Sequence, residues 1–213
     1  MFEIVIVGAA GFGREVYQWA QDVFPSTEYR VKGFLSNDLQ ELEGYGLDSG
    51  MLGNEDAYEI QKEDVFLVAL GNIDTKKRVV ERLKARGAQF LTLIHPTAIV
   101  VPTARIGEGV MICPFALVSD HVEIGDFAML NFYASCGHDA KIGRYSILSP
   151  YATLGGFAVV EGEVYLGTHA TVTPRKRVGY RAKISANSAV MADVPPYTFV
   201  YGVPGKQQTI FKK

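Results

Sequence analysis

Residues 130–148 read L-N-F-Y-A-S-C-G-H-D-A-K-I-G-R-Y-S-I-L. Every sixth position from Leu130 carries an apolar residue: Leu130, Cys136, Ile142 and Leu148. Four places after each of the first three stands a small one: Ala134, Ala140 and Ser146. An α-helix repeats every 3.6 residues and a simple strand every 2, so neither produces a period of six. A short strand followed by a corner does, and the repeat is that of a hexapeptide β-helix.

The same phase extends in both directions. Ile94, Val100, Ile106, Ile112, Val118 and Ile124 precede the quoted stretch, and Leu154, Val160, Leu166, Val172, Val178, Ile184 and Val190 follow it, making seventeen hexads. The fifth position is small or short from Ala98 to Val194, except at Lys176, where a local bulge is expected. Glycine follows the apolar residue at Gly107, Gly125, Gly143, Gly155, Gly167 and Gly179, where a tight corner is expected to need it. Three hexads close one triangular coil of 18 residues, so residues 94–190 make between five and six coils.

Residues 1–93 have a different rhythm. Phe2–Val7 reads as an apolar strand, Gly8–Gly13 as a turn, and Arg14–Val23 as a helix with Val16, Trp19, Ala20 and Val23 on one face. Tyr29–Leu35 and Val65–Leu70 read as further strands, Thr75–Arg86 as a second helix, and Phe90–Ile94 as a fourth strand. Alternating strand and helix implies a small parallel α/β sheet of Rossmann type. The expected organisation is an α/β domain over 1–93 and a β-helix domain with a C-terminal tail over 94–213.

Composition narrows the function classes. The 213 residues are 48% hydrophobic and 21% charged, ordinary for a globular protein. A formal charge of −2 and a pI of about 6.1 argue against a nucleic-acid-binding face. No apolar run approaches the ~20 residues that span a bilayer, and F-E-I-V-I-V-G at the start reads as a buried strand rather than a signal peptide. Cys113 and Cys136 are too few for a disulfide framework and lack zinc spacing, so a cytoplasmic setting is expected.

G-A-A-G-F-G at 8–13, G-F-L-S-N at 33–37, V-A-L-G-N at 68–72, L-I-H-P-T-A at 93–98, G-H-D-A-K-I-G at 137–143 and Y-G-V-P-G-K at 201–206 together resemble one family. It is the bacterial sugar O-/N-acyltransferases of the hexapeptide-repeat superfamily, which carry an N-terminal nucleotide-binding domain. The group includes nucleotide-sugar N-acetyltransferases and sialic acid O-acetyltransferases. The resemblance implies a left-handed β-helix, acetyl-CoA as co-substrate, no metal, a homotrimer, and a role in polysaccharide or glycan biosynthesis. It favours transfer of an acetyl group to the amino group of a nucleotide-linked sugar. A sialic-acid type O-acetyltransferase and a non-catalytic trimeric binding protein stand as alternatives. Outward aromatic residues (Phe115, Phe127, Tyr151 and Phe157) are expected to favour self-association of flat prism faces.

His138 takes the third place of the Cys136 hexad, at a corner, where its imidazole points outward. A neutral imidazole is suited to removing a proton from an attacking amine or hydroxyl, and a carboxylate beside it orients the ring. An arbitrary His-Asp dipeptide is more often a solvated turn; here the resemblance implies that His138 is the general base and Asp139 its support. Asn131 is a further polar neighbour. Cys136 takes an inward position and reads as an inert thiol. His95 marks the domain junction and reads as structural. His121, 17 residues before His138, is expected near it; with His169 it invites a zinc reading, which spacings of 17 and 31 oppose.

The turn Gly8–Gly13 follows a strand and opens a helix, an arrangement that binds phosphate. Its match to GxGxxG has Ala10 in the second glycine's place, and no acidic residue fills the NAD ribose role. The resemblance implies an acceptor site formed by Ala10, Gly11, Phe12, Ser36, Asn37 and Gly71, and acetyl-CoA contacts at Ile147, Thr168 and Ala186. The chain departs from the family in three places: Ser36 stands where Asp is frequent, and Phe12 and Ile147 stand where His is frequent. Arg175, Lys176, Arg177, Lys183 and Lys206 supply positive charge for the CoA phosphates or, equally, form a solvated basic turn.

Overall fold

The computed structural model describes residues 1–209. The chain divides into two compact units, Met1–Leu93 and Ile94–Lys213. The first contains β1 (Phe2–Val7), α1 (Gly11–Val23), β2 (Tyr29–Leu35), β3 (Met51–Gly53), β4 (Asp64–Val68), α2 (Ile73–Ala85) and β5 (Gln89–Phe90). Its strands form one parallel sheet in the order β3-β2-β1-β4-β5. Ile4–Val7 and Val65–Val68 are buried throughout, because central strands of a parallel sheet are covered on both faces. Val16, Tyr17 and Ala20 form the buried stripe of α1; Val79, Val80 and Leu83 form that of α2.

Three details differ from expectation. Helix α1 begins at Gly11 rather than Arg14, so the second half of the glycine-rich turn is already helical. The run Phe90–Ile94 splits: Phe90 ends β5 against β4, and Leu93–Ile94 opens a sheet of the β-helix. The sheet also has an edge strand, β3, whose three residues are too few to show an alternation.

In the second unit, two-residue strands line up as three parallel sheets, fitting a left-handed parallel β-helix. One face stacks Met111–Ile112, Met129–Leu130, Ile147–Leu148 and Tyr165–Leu166; the second stacks Leu117–Val118, Ser135–Cys136 and Thr153–Leu154; the third stacks Glu123–Ile124, Lys141–Ile142 and Val159–Val160. Partners such as Leu130 and Leu148 are one 18-residue coil apart. The inward residue of each pair and the small residue four places on fill the core: Leu130, Ala134, Cys136, Ala140, Leu148 and Ala152 are all fully buried.

The corners follow a different rule from the one expected. The left-handed backbone falls on the fourth place of the hexad and mostly on bulky residues, as at Asp139 (φ +57°), Phe157 (φ +59°) and Arg175 (φ +63°). These three donate their N–H groups to carbonyls of the coil before: Asp139 to Asp120 at 2.8 Å, Phe157 to His138 at 2.9 Å, Arg175 to Gly156 at 3.0 Å. These bonds offset the ~1–2 kcal/mol that a side chain costs in this region. The corner glycines are needed instead for close approach. A Cβ on Gly143 would stand 2.4 Å from the nitrogen of Gly162, and one on Gly155 would stand 2.7 Å from that of Pro174.

Lys176 makes no bulge. The rung stays in register, Val159 opposite Arg177, with the Val159 N–H on the Lys176 carbonyl at 2.9 Å, and the lysine is half-buried. The period changes later. Val178 bridges Val194 and Ile184 pairs with Val200, a spacing of 16, so Val194 succeeds Val178 on its rung rather than serving as a fifth-position filler. The strand Thr198–Tyr201 then pairs antiparallel with the strand Lys206–Thr209. Phe127, expected outside, is 1% exposed and stacks on Tyr145 at 5.4 Å; Gly109 below it has no side chain, and the ring fills that space.

Gly143→Ala is expected to destabilise by about 1–3 kcal/mol through coil-to-coil overpacking. Gly162→Ala, whose added Cβ meets nothing closer than 3.5 Å, is expected to be near neutral. Urea denaturation of both variants checks the pair, and equal costs would sink the close-approach reading.

Candidate active site

His138 and Asp139 stand at the corner between the second and third faces. The His138 Nδ1 lies 2.9 Å from Asp139 Oδ2, with both side chains partly exposed. The fourth-place backbone of Asp139 turns its carboxylate back onto the preceding ring. With Nδ1 engaged by a carboxylate, the proton-accepting position left to the neutral ring is Nε2. Phe157 meets the imidazole edge-to-face at 5.2 Å, and Arg175 lies 4.6 Å over Phe157. A Cβ on Gly156 would come within 2.6 Å of Nε2, so the glycine at His138's place in the next coil makes room for the ring.

A second carboxylate–imidazole pair, not picked out from the sequence, lies one coil earlier in reversed order. Asp120 occupies His138's place and His121 that of Asp139, with Asp120 Oδ2 2.9 Å from His121 Nδ1. The Thr103 hydroxyl donates to Asp120 Oδ1 at 2.5 Å. That hydroxyl first, then His121, holds the Asp120 carboxyl below the usual carboxylate range. A corner cavity of about 240 Å³ is lined by Thr103, Arg105, His121, Glu123, Asp139, Lys141 and Phe157. The signal was present as D-H at 120–121 and H-D at 138–139, separated by one coil length.

The remaining histidines lie elsewhere. His169 stacks on Tyr151 at 4.6 Å, at the end of a column that runs Phe115, Tyr133, Tyr151, His169 along the corner between the first and second faces. His95 is buried beside the Thr97 hydroxyl at 2.8 Å. Asn131 sits at the His169 corner, where its Oδ1 accepts from the Phe132 N–H at 2.7 Å. Cys136 is fully buried, and burial pushes its thiol up to about 12.

The residues expected to meet acetyl-CoA separate. Thr168 and Ala186 are exposed and occupy the same corner place in successive coils, with the Asn187 N–H on the Thr168 carbonyl at 2.9 Å. Ile147 lies on the first face and is 2% exposed, so its side chain is closed to a ligand. Of the basic group, Arg177 is paired with Glu161 at 2.9 Å and Arg175 covers Phe157, while Lys183 and Lys206 are exposed.

In the α/β unit, Ala10, Gly11, Phe12, Ser36, Asn37 and Gly71 all lie just beyond the carboxyl ends of β1, β2 and β4 or in the first turn of α1. Gly8 adopts φ +102° against the Ala69 carbonyl, and a Cβ on Gly13 would stand 2.0 Å from the Gly8 carbonyl oxygen. Strand and helix therefore touch there, while a Cβ on Gly11 would meet only the Arg14 guanidinium, at 3.9 Å. A cavity of about 200 Å³ at this edge is lined by Gly8, Ser36, Asn37, Asp38, Glu41 and Glu55, among others. A larger one, about 800 Å³, lies between α1 and β2 and contains none of the expected residues.

The fold is that of the left-handed β-helix acetyltransferases that carry an N-terminal α/β domain. Residues 3–83 match the family model of the PglD N-terminal domain. UDP-N-acetylbacillosamine N-acetyltransferase of Bacillus subtilis is 32% identical over 115 residues, 53% of this chain and 51% of that protein, so the match spans about half of that relative. WeeI from Acinetobacter baumannii superposes with a TM-score of 0.78 at 22% identity over 98% of this chain and all of that one. PerB from Caulobacter crescentus, solved with CoA and GDP-perosamine, gives 0.76 at 23% identity over 98% of both chains. At these identities the two structures establish the fold.

Cys136 is expected to resist Ellman's reagent at pH 8 in the folded protein and to react only after denaturation. Rapid labelling of Cys136 under native conditions would contradict its assignment as an inert core thiol.

Proposed function

We propose that the protein is an acetyl-CoA-dependent N-acetyltransferase acting on a nucleotide-linked amino sugar, with His138 as general base. The contact between His138 Nδ1 and Asp139 Oδ2 carries this reading, because it supplies an oriented imidazole at an exposed corner. The family resemblance and the N-acetyltransferase activity of the B. subtilis relative support it, as does PerB, which holds CoA and GDP-perosamine. The sugar amine attacks the thioester carbonyl carbon while His138 Nε2 takes the proton that the nitrogen loses. Collapse of the tetrahedral intermediate breaks the C–S bond, and the proton passes from the imidazolium to the leaving thiolate. Asp139 keeps Nδ1 protonated and stabilises the imidazolium in between.

Ala10, Gly11 and Phe12 are assigned to the acceptor diphosphate at the α1 N-terminus, with Ser36, Asn37 and Gly71 beside it. Thr168 and Ala186 are assigned to acetyl-CoA through their backbone, and Ile147 contributes only packing. No helix among the described residues is long and apolar enough to cross a membrane. A homotrimer working in the cytoplasm, on sugars destined for a glycan, completes the proposal.

His138→Ala is expected to lower kcat by about 10²–10⁴-fold with little change in KM. Asp139→Asn is expected to lower it less, and both should leave the unfolding transition in place. Thiol release from acetyl-CoA with a panel of nucleotide amino sugars measures this. A panel that never drives thiol release, or a fully active His138→Ala, would overturn the assignment.

A further inference from the structure

The end of the sheet reads the base of the nucleotide as well as its phosphates, and we infer that Glu55 selects guanine. This rests on the reading of the α/β unit as the acceptor domain. In open parallel sheets the ligand lies across the carboxyl ends of the strands, with phosphate at the first helix N-terminus and the nucleoside extending toward the strands beyond. Here the direction is β1 to β2 to β3, and the residues met in turn are the Gly8–Gly13 loop, Ser36 and Asn37, then Glu55, two residues past β3.

Glu55 is unusual for an acidic residue beside a cavity. It is 8% exposed and lines the pocket at this edge. Its carboxylate has one partner among the described residues, Asn37 Nδ2 at 3.5 Å from Oε1. The Glu55 carboxylate therefore keeps acceptor capacity at the cavity edge, which a ligand with N–H donors can use. Its main chain is also fixed. The Arg86 guanidinium donates to the Glu55 carbonyl at 2.7 Å, and the Asn54 side chain accepts from the Ala57 N–H at 2.8 Å. The neighbouring Glu41 is already engaged, accepting from the Ser36 hydroxyl at 2.7 Å.

A carboxylate offers two acceptor oxygens side by side and no donor. Guanine alone among the common bases presents two adjacent donors, N1–H and the N2 amino group, and these match it as a bidentate pair. Uracil and thymine place a single N3–H between two carbonyls, which a carboxylate repels. Cytosine and adenine set an acceptor nitrogen beside their amino group. Of the three acids that line this cavity, Asp38, Glu41 and Glu55, only Glu55 is buried.

Calorimetric titration of the full chain with GDP, UDP, dTDP, CDP, ADP, IDP and XDP tests this without requiring turnover. GDP is expected to bind at least tenfold more tightly than the others, and IDP, which lacks the N2 amino group, to lose about tenfold. Glu55→Gln is expected to weaken GDP by tenfold or more and to improve XDP, whose C2 carbonyl accepts from the new amide. That gain in XDP binding separates base reading from simple damage to the fold. UDP or dTDP binding as tightly as GDP would overturn the guanine assignment and leave the acceptor-domain reading standing. So would a Glu55→Gln variant that weakens every nucleotide equally, which assigns the residue to the ribose. Failure of all seven diphosphates to bind would remove both readings.

Discussion

Main-chain hydrogen bonding between successive coils governs the β-helical unit. Each residue must meet its counterpart 18 positions away, closely enough for N–H and C=O groups to pair. That demand, rather than backbone freedom, places glycine at Gly143 and Gly155, where a methyl group would collide with the next coil. It also explains why residues as large as Phe157 and Arg175 accept a left-handed conformation. The inter-coil hydrogen bond each makes there is available only with that backbone.

The same register turns the sequence into columns of side chains. Thr103, Asp120, His121, His138, Asp139, Phe157 and Arg175 are scattered over more than seventy residues, yet they gather at one corner because the coils stack in phase. A polar cluster built this way needs no long loop and no flexible hinge. Its geometry comes from the core beneath it, where Cys136 and Ala140 are packed without exposure on either side of His138.

Much of this was legible from period alone. A six-residue repeat calls for short strands joined by corners, and the inward residues followed from it, while the left hand came from the family resemblance. What stayed hidden depended on side-chain contacts between coils or on segments too short to show a pattern. The edge strand Met51–Gly53 has three residues, and its identity comes from pairing with Phe34 and Leu35. Phe127 reads as an outward aromatic until Gly109, one coil below, leaves space for its ring. Ile147 reads as an outward position of a strand, and only the folded chain shows it closed to solvent. His138 and Asp139 were visible as a pair, whereas Asp120 gains meaning beside His121 only when 18 is added to each number and the sums fall on 138 and 139. Glu55 carried no sequence signal at all, since its burial comes from the fold.

A stack of parallel rungs has no natural end: the last coil exposes the same unsatisfied edge that every earlier coil offered to its successor. Left bare, such an edge is a template on which another chain can grow. The shortened final coil and the reversed strand Lys206–Thr209 interrupt that template. The strand runs against the direction of the stack and presents lysine, glutamine and threonine, all exposed. On that face an incoming parallel rung finds the wrong polarity and a solvated surface, which works against end-to-end growth of the stack there.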